Sequence, residues 1–410
     1  MPHAPPLGAL LRQYAAGSAL ACDPVDQGLL NRGYRLRTTR GRYFLKHHFD
    51  PETAAPEAIA RQHRATERLA ALGVPVAPPF PARDGRTVAV VGGHTYALHP
   101  WIEGRHRHGS QLTAAQCGRL GALLGVVHAS LERVMPLQGR AGTKKGARAD
   151  GGVRGDASAL DTTPHPPGGR TTPLCHAPAR TGGARPEKPP AGHPAAGHSA
   201  AGHPVAGHSA AGAAGSDAGS VDAGADPVTT FALIDDLLAR VRRHRPADSF
   251  DELARHRLLE RRALLEQHAG RRPPHSGPVG WVHGDFHPFN LLYRGDAPAA
   301  IVDWDRLGVK PRAEEAVRAA AIFFVRPAGT LDLPKVRAYA RAYRRTAGAT
   351  PSELAAAVHR VWWERLNDFW MLRWHYERGD TRADPQFPAA SALVVWWTRE
   401  YDAVCDAFAG

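Results

Sequence analysis

The sequence predicts an α+β protein of two lobes, a small β-rich lobe and a mostly helical one, with a disordered low-complexity insert between them. Three observations carry this expectation. Strand and hairpin signals crowd the first hundred residues. Helical periodicity dominates after residue 230. Between the two, residues 139–226 are mainly Gly, Pro, Ala, Thr and Ser with almost no large apolar side chains. Such a stretch buries too little surface to offset the entropy of ordering it.

Each element follows in order. Residues 29–38 alternate loosely and 42–47 (RYFLKH) read as a short strand after the Arg40-Gly41 turn. In 57–72, Ile59, Ala65, Leu69 and Leu72 recur at helical spacing, and Gly73 stops the helix. Val74-Pro75-Val76 opens an extended stretch, and 87–91 and 94–98 pair across Gly92-Gly93. A helix over 112–131 presents Leu120, Leu123, Leu124, Val127 and Leu131 on one face, with Thr113 near its N-cap. The insert contains a five-residue repeat (AGHPA, AGHSA, AGHPV, AGHSA) that steps His193, His198, His203 and His208. Gly and Pro leave these histidines no fixed geometry, so a solvated spacer is expected. Helices follow over 231–244, 252–268, 313–325, 335–346 and 352–377, with a short apolar stretch at 279–282 and a hairpin of 291–293 and 299–302 about Gly295-Asp296. The expected division is an N-lobe 1–98, a hinge and first C-lobe helix 99–135, the insert 136–229 and a helical C-lobe 230–410.

Composition excludes several classes. The net charge is +13, and the insert supplies only nine Lys and Arg against seven Asp and Glu. The remaining positive charge is scattered as single Arg residues, without the basic run or module of a nucleic-acid binder. No run of 18 apolar residues suggests a membrane span. The first residues lack a basic stretch followed by an apolar one, so a secretory leader is not expected and a cytoplasmic location is. Cys22, Cys117, Cys175 and Cys405 are too far apart to read as a zinc site or a disulfide framework.

The chemically dense stretch is 281–310, WVHGDFHPFNLLYRGDAPAAIVDWDRLGVK. Asp285 and Asn290 lie five apart on a loop that enters a strand, and Asp303 follows the second strand of the hairpin. Phosphoryl transfer asks for such a set: one carboxylate to take the hydroxyl proton, and a second carboxylate with an amide oxygen to hold Mg²⁺ on the phosphates. The kinase catalytic loop H-x-D-x-x-x-x-N is present as His283, Asp285 and Asn290. His283 and His287 read as structural anchors of that loop. Asp305 reads as a solvated turn carboxylate.

HGDFHPFN followed by IVDWD resembles the signature of the aminoglycoside phosphotransferase/choline kinase-like family of small-molecule kinases. The resemblance covers roughly 27–131 and 231–397. It implies a protein-kinase-like bilobal fold with ATP and Mg²⁺ between the lobes and a small hydroxyl-bearing acceptor. By position, Asp285 matches the catalytic base, Asn290 and Asp303 match the metal ligands, and Lys46 matches the strand lysine on the ATP phosphates. Residues 28–33 (GLLNRG), with Asn31 and Gly33, look like the turn over the phosphates, and His99 and Trp101 fall at the hinge beside adenine. The family's helix glutamate, partner of the lysine, would fall near Gln62, which is not acidic. That departure motivates an alternative, a nucleotide-binding regulatory pseudokinase of the same fold.

The acceptor site is harder to read. Six of the nine tryptophans lie between 362 and 397, and Trp363, Trp370 and Trp374 share a helical face with Leu366 and Asn367. Core packing is the expected role. Glu364, Asp368, Glu377, Asp380 and Asp384 add carboxylates that would suit an amine-bearing alcohol of the aminoglycoside, homoserine or choline kind.

Overall fold

The computed structural model describes residues 4–25, 31–49, 54–137, 224–274 and 277–410. The expected insert, its histidine repeat and Cys175 lie outside the described residues, except for the insert's two ends. Strands β1 (Ala19–Val25), β2 (Arg32–Thr38), β3 (Gly41–His48), β4 (Val88–Val91) and β5 (His94–Pro100) form one antiparallel sheet in the order β1-β2-β3-β5-β4. Its period-two pattern buries Leu36, Tyr43, Leu45, Tyr96 and Leu98 on one face. Helix α1 (Leu7–Gln13) covers that face with Leu10 and Leu11, and Tyr14 reaches from its end to donate to the carbonyls of Thr87 and Tyr96. Neither α1 nor β1 was expected from the sequence. The helix is only seven residues long and β1 carries a mid-strand Asp and Pro.

Helix α2 (Pro56–Ala71) leads through Val76, which bridges to Ile301 of the C-lobe, into the second hairpin. Helix α3 (Ala114–Val134) starts where Thr113 and Gln116 cap each other's backbone amides. Helix α4 (Pro227–Arg243) is capped by Asp226. Its start precedes the expected insert boundary of 229. Gly224 and Ala225 are also held: Trp363 donates from its indole to the Ala225 carbonyl, and Arg272 to that of Gly224. Helix α5 (Ser249–His268) follows.

Strand β6 (Val279–Val282) enters the loop that contains Asp285. The hairpin β7 (Leu291–Arg294) and β8 (Ala297–Ile301) leaves it, and β9 (Gly308–Pro311) returns to pair with β6. The pairing of β9 was not expected, since four residues with Gly, Lys and Pro carry no alternation. Helices α6 (Arg312–Phe323), α7 (Leu333–Ala347), α8 (Pro351–Asn367), α9 (Trp370–Arg373), α10 (Phe387–Arg399) and α11 (Tyr401–Ala409) complete the lobe.

The sequence reads 352–377 as one helix, but it is broken. Asp368 is extended, and its side chain accepts from the Trp370 amide at 3.1 Å, restarting the helix. Arg261 of α5 donates to the carbonyls of Arg365 and Asp368, which a continuing helix would have used internally. A π turn, Trp374–Arg378, follows α9. Trp363, Trp370 and Trp374 are buried, as their spacing leads one to expect, and Trp362 and Trp397 are fully buried in the core beside them.

Replacing 139–223 by a short Gly/Ser linker should leave the unfolding temperature nearly unchanged, because loop entropy grows by only about 0.6 kcal/mol per doubling of length. Extending the cut through Asp226 should cost about 1 kcal/mol more, the loss of the α4 cap. Thermal unfolding of the two deletions would show no difference if Asp226 does not cap α4.

Candidate active site

The Asp285 loop is held from within. His283 is completely buried, and its Nδ1 accepts from the Asp285 amide at 3.2 Å. Its Nε2 therefore carries the proton, donated to the Val302 carbonyl at 3.0 Å. Burial lowers the His283 pKa against the pull of Glu315 and Asp285, which keeps the ring neutral in that tautomer. One imidazole thus ties Asp285 to the residue before Asp303. Gly284, at φ +85°, lies so close to the Arg306 carbonyl that a Cβ there would collide with its oxygen. His287 accepts from the Phe289 amide, and its Nε2 is 3.6 Å from Asp285 Oδ2. Both histidines are structural anchors of the loop.

Asn290, 7% exposed, donates from Nδ2 to the Asp285 carbonyl at 2.9 Å. That bond orients the amide and uses one of its two N–H groups, and the amide oxygen remains as an acceptor. Asp303 adopts a left-handed φ of +60°, a conformation that costs a non-glycine residue free energy and gathers at functional sites.

Lys46 reaches from β3 into this group. Its Nζ lies 2.6 Å from Asp303 Oδ1 and 2.8 Å from Asp305 Oδ1, with the lysine side chain 10% exposed. Burial alone would lower the Lys46 pKa, but the two carboxylates outweigh it and hold the ammonium charged. Asp303 is likewise held down by Lys46 against its burial. Burial pushes Asp305 up, the Lys46 ammonium pulls it down, and the neighbouring Asp303 carboxylate adds to the rise. Asp305 is not the solvated turn residue the sequence suggests: it is 13% exposed and also accepts from Asn31. Gln62 of α2 does not pair with Lys46 but donates from its amide to the Asp305 carbonyl at 2.9 Å. Lys46 is doubly paired without a helix glutamate.

The residues expected around the nucleotide fall on both sides of this cluster. Gly33 lies directly opposite Lys46 in the β2–β3 register and against the Phe44 ring. Residues 28–30 lie outside the described residues. His99, at the end of β5, donates from Nδ1 to the Ala77 carbonyl at 3.1 Å, and burial pushes its pKa down to about 4. Trp101 is half-buried, its amide bound to the Arg42 carbonyl. His48, two residues beyond Lys46, has both ring nitrogens buried without a hydrogen-bond partner and points Nδ1 at Asp305 from 3.8 Å.

A cavity of about 540 Å³ opens beside the loop, with Pro288 in its wall. Arg318 and Glu364 pair there through two hydrogen bonds. Asp368 faces it with a carboxyl pushed up to about 7, by burial and then by Glu364. Arg365 also lines it, its Nε buried without a hydrogen-bond partner. Trp370 is part of the wall, whereas Glu377, Asp380 and Asp384 are not.

The sequence model of the phosphotransferase enzyme family matches residues 21–349. The chain belongs to the phosphotransferase enzyme family. Curated relatives include the homoserine kinase of Acidiphilium cryptum, 30% identical over 135 residues, which is 33% of this chain and 41% of the relative. The homoserine kinase of Neisseria meningitidis serogroup B is 31% identical over 118 residues, 29% of this chain and 37% of the relative. These matches span only about two-fifths of the relatives' length. Among solved structures, a spectinomycin phosphotransferase in complex with ADP and spectinomycin aligns over 98% of this chain and 96% of its own, at 11% identity and a TM-score of 0.51. A microcompartment-associated aminopropanol kinase aligns over 97% and 98%, at 15% identity and the same TM-score. The fold is the protein-kinase-like one of these phosphotransferases.

The family signature does not reveal what supports it. Glu315, 4% exposed in the first turn of α6, accepts from the backbone amides of His283 and Gly284. His128 of α3, fully buried, lies 2.7 Å from Glu315 and 3.0 Å from the Tyr343 hydroxyl. The sequence signal for this was an acidic pair near the start of an alanine-rich helix, which also suits a helix N-terminus.

Against its burial, the hydrogen bond from His128 holds the Glu315 carboxyl below the usual range. Its stabilisation is therefore complete above the ordinary glutamate pKa of about 4.3 and is lost as the pH falls through the lowered native value. Glu315→Ala should cost about 1–3 kcal/mol at pH 7, because it leaves the buried His283 and Gly284 amides and the His128 imidazole without their acceptor, with the gap narrowing below about pH 4. Urea unfolding at both pH values measures it; equal stability at pH 7 would contradict the role.

Proposed function

We propose that the chain is a Mg²⁺-dependent phosphotransferase that moves the γ-phosphoryl group of ATP to a hydroxyl of a small molecule. What most supports this is the convergence, from two lobes, of Lys46, Asp303, Asn290 and Asp285 in one cleft. Asp303 and Asp305 share a single ammonium and the Asp285 carboxylate acts on Asp303 as a third negative charge, and such a surplus of hard oxygen donors suits a divalent cation. The Asn290 amide oxygen and the half-exposed Asp303 carboxylate would hold the ion, which when bound neutralises phosphate charge.

In this reading Lys46 leaves Asp303 and turns to the phosphates of ATP, while Asn31 and Gly33 lie at the lip above them. Asp285 accepts the acceptor's hydroxyl proton as the oxygen attacks the γ-phosphorus. The new P–O bond forms as the bond to the ADP oxygen breaks, so that one proton, one phosphoryl group and one leaving oxygen are accounted for. His283 and Glu315 contribute by keeping the loop amides, and so Asp285, in place. His99 and Trp101 would flank the adenine.

The cavity beside Pro288 would take the acceptor. Asp368 and Glu364 suit an ammonium group, and the Arg365 guanidinium suits a polar or anionic one. Amino alcohols fit that mixture, among them homoserine-, aminoglycoside- and choline-like molecules. Several relatives bear the name homoserine kinase, and two solved neighbours those of an aminopropanol kinase and a spectinomycin phosphotransferase.

Asp285→Asn should lower turnover by about 10²–10⁴, the share usual for a positioned general base, and leave ATP affinity within a few-fold. Steady-state kinetics with calorimetry of a non-hydrolysable ATP analogue checks both. Near-normal turnover in the variant would remove Asp285 from the reaction.

A further inference from the structure

Outside the cleft, three elements bring a second set of donors together. The residue after α4, the start of α5 and the π turn contribute His244, Asp251 and His375, with one donor atom of each within 4.8 Å of the others. Asp251 and His375 are buried, whereas His244 is 36% exposed and leaves an approach from solvent. His244 Nδ1 is 3.0 Å from Asp251 Oδ2, and the other Asp251 oxygen accepts from the Tyr376 hydroxyl at 2.7 Å. His375 Nδ1 is 2.8 Å from Asp384 Oδ2. The second oxygen of Asp384 is buried without a hydrogen-bond partner. A buried carboxylate, Asp251, and a partly exposed one, Asp384, thus face imidazoles and a phenol.

We propose that His244, Asp251 and His375 bind one transition-metal dication of the zinc class. Ligands about 2.1 Å from a tetrahedral zinc lie roughly 3.4 Å apart, so the His244–Asp251 pair, now hydrogen-bonded at 3.0 Å, needs to open only slightly to admit one ion in place of the shared proton. Binding draws His375 in toward that pair. With its Nδ1–H donated to Asp384, His375 offers Nε2 as the ligand, the carboxylate behind the imidazole fixing its tautomer as in established zinc sites. Tyr376 does the same for the Asp251 carboxylate. Two imidazoles with one carboxylate favour zinc over magnesium, so this site does not compete for the ion of the nucleotide. The π turn that carries His375 is a rare irregularity, frequent at functional positions. The site also touches the acceptor cavity: Phe250 stacks on the His375 ring at 4.3 Å and meets Phe387, a cavity residue, at 5.3 Å.

The test uses the full chain stripped with chelator, and its readout is bound metal rather than turnover. The histidines of the AGH repeat can also take metal, so the decisive quantity is a difference between proteins with the same insert. Equilibrium dialysis against Zn²⁺ should find one equivalent more on the wild type than on His244→Ala or His375→Gln. One equivalent of Zn²⁺ should raise the unfolding temperature of the wild type only, and equimolar Mg²⁺ should not. If His375→Gln fails to fold, His244→Ala, at the accessible end of α4, decides alone. Equal stoichiometry and an equal thermal response in wild type and variant would overturn the site.

Discussion

The Lys46 ammonium, drawn between Asp303 and Asp305, is the interaction on which the site depends. It joins the central strand of the N-lobe sheet to the turn after the C-lobe hairpin, across 257 residues of sequence. A buried ion pair is poor evidence of net stability, because desolvation offsets most of the Coulomb gain. Its value here is positional. Gln62 fixes the Asp305 backbone, Asn31 its carboxylate, and β2 runs beside Lys46 with Gly33 opposite, so the charge has one place to go. The same cluster is short of positive charge, and that shortage makes it fit for a cation.

A second buried carboxylate, Glu315, sits behind the first group and behaves in the opposite sense to Asp368 in the cavity beside Pro288. Glu315 receives two backbone amides and the His128 imidazole, and its pKa falls despite burial. Asp368 receives one backbone amide and faces Glu364, and its pKa rises to about 7. Hydrogen bonds to the charged form separate the two. Glu315 is thus a permanent anion that builds the loop, whereas Asp368 is a group whose charge a ligand's ammonium would favour.

What the sequence made readable was local. The helices over 57–72 and 112–131, both hairpins and the spacing of Asp285, Asn290 and Asp303 rest on periods and turns within a few residues of one another. What it hid depended on distant partners. Asp305 looked like a turn residue because Lys46 and Asn31 arrive from another lobe. Glu315 and His128 meet over 187 residues, and the break after α8 depends on Arg261 donating from α5. The departure at Gln62 was visible, but its consequence was not: the amide serves a backbone carbonyl, and the lysine finds its carboxylates elsewhere. Strands β1 and β9 had no alternation strong enough to announce them.

Phosphorus-31 NMR of the purified chain with Mg²⁺ and ATP, in the presence of homoserine, choline and aminoglycoside acceptors, reads the central chemistry most directly. Transfer to a hydroxyl predicts a phosphomonoester resonance growing in step with ADP for at least one acceptor, and none when Mg²⁺ is chelated. ATP that stays intact with every acceptor, or ADP accompanied only by inorganic phosphate, would contradict a phosphotransferase acting on small alcohols.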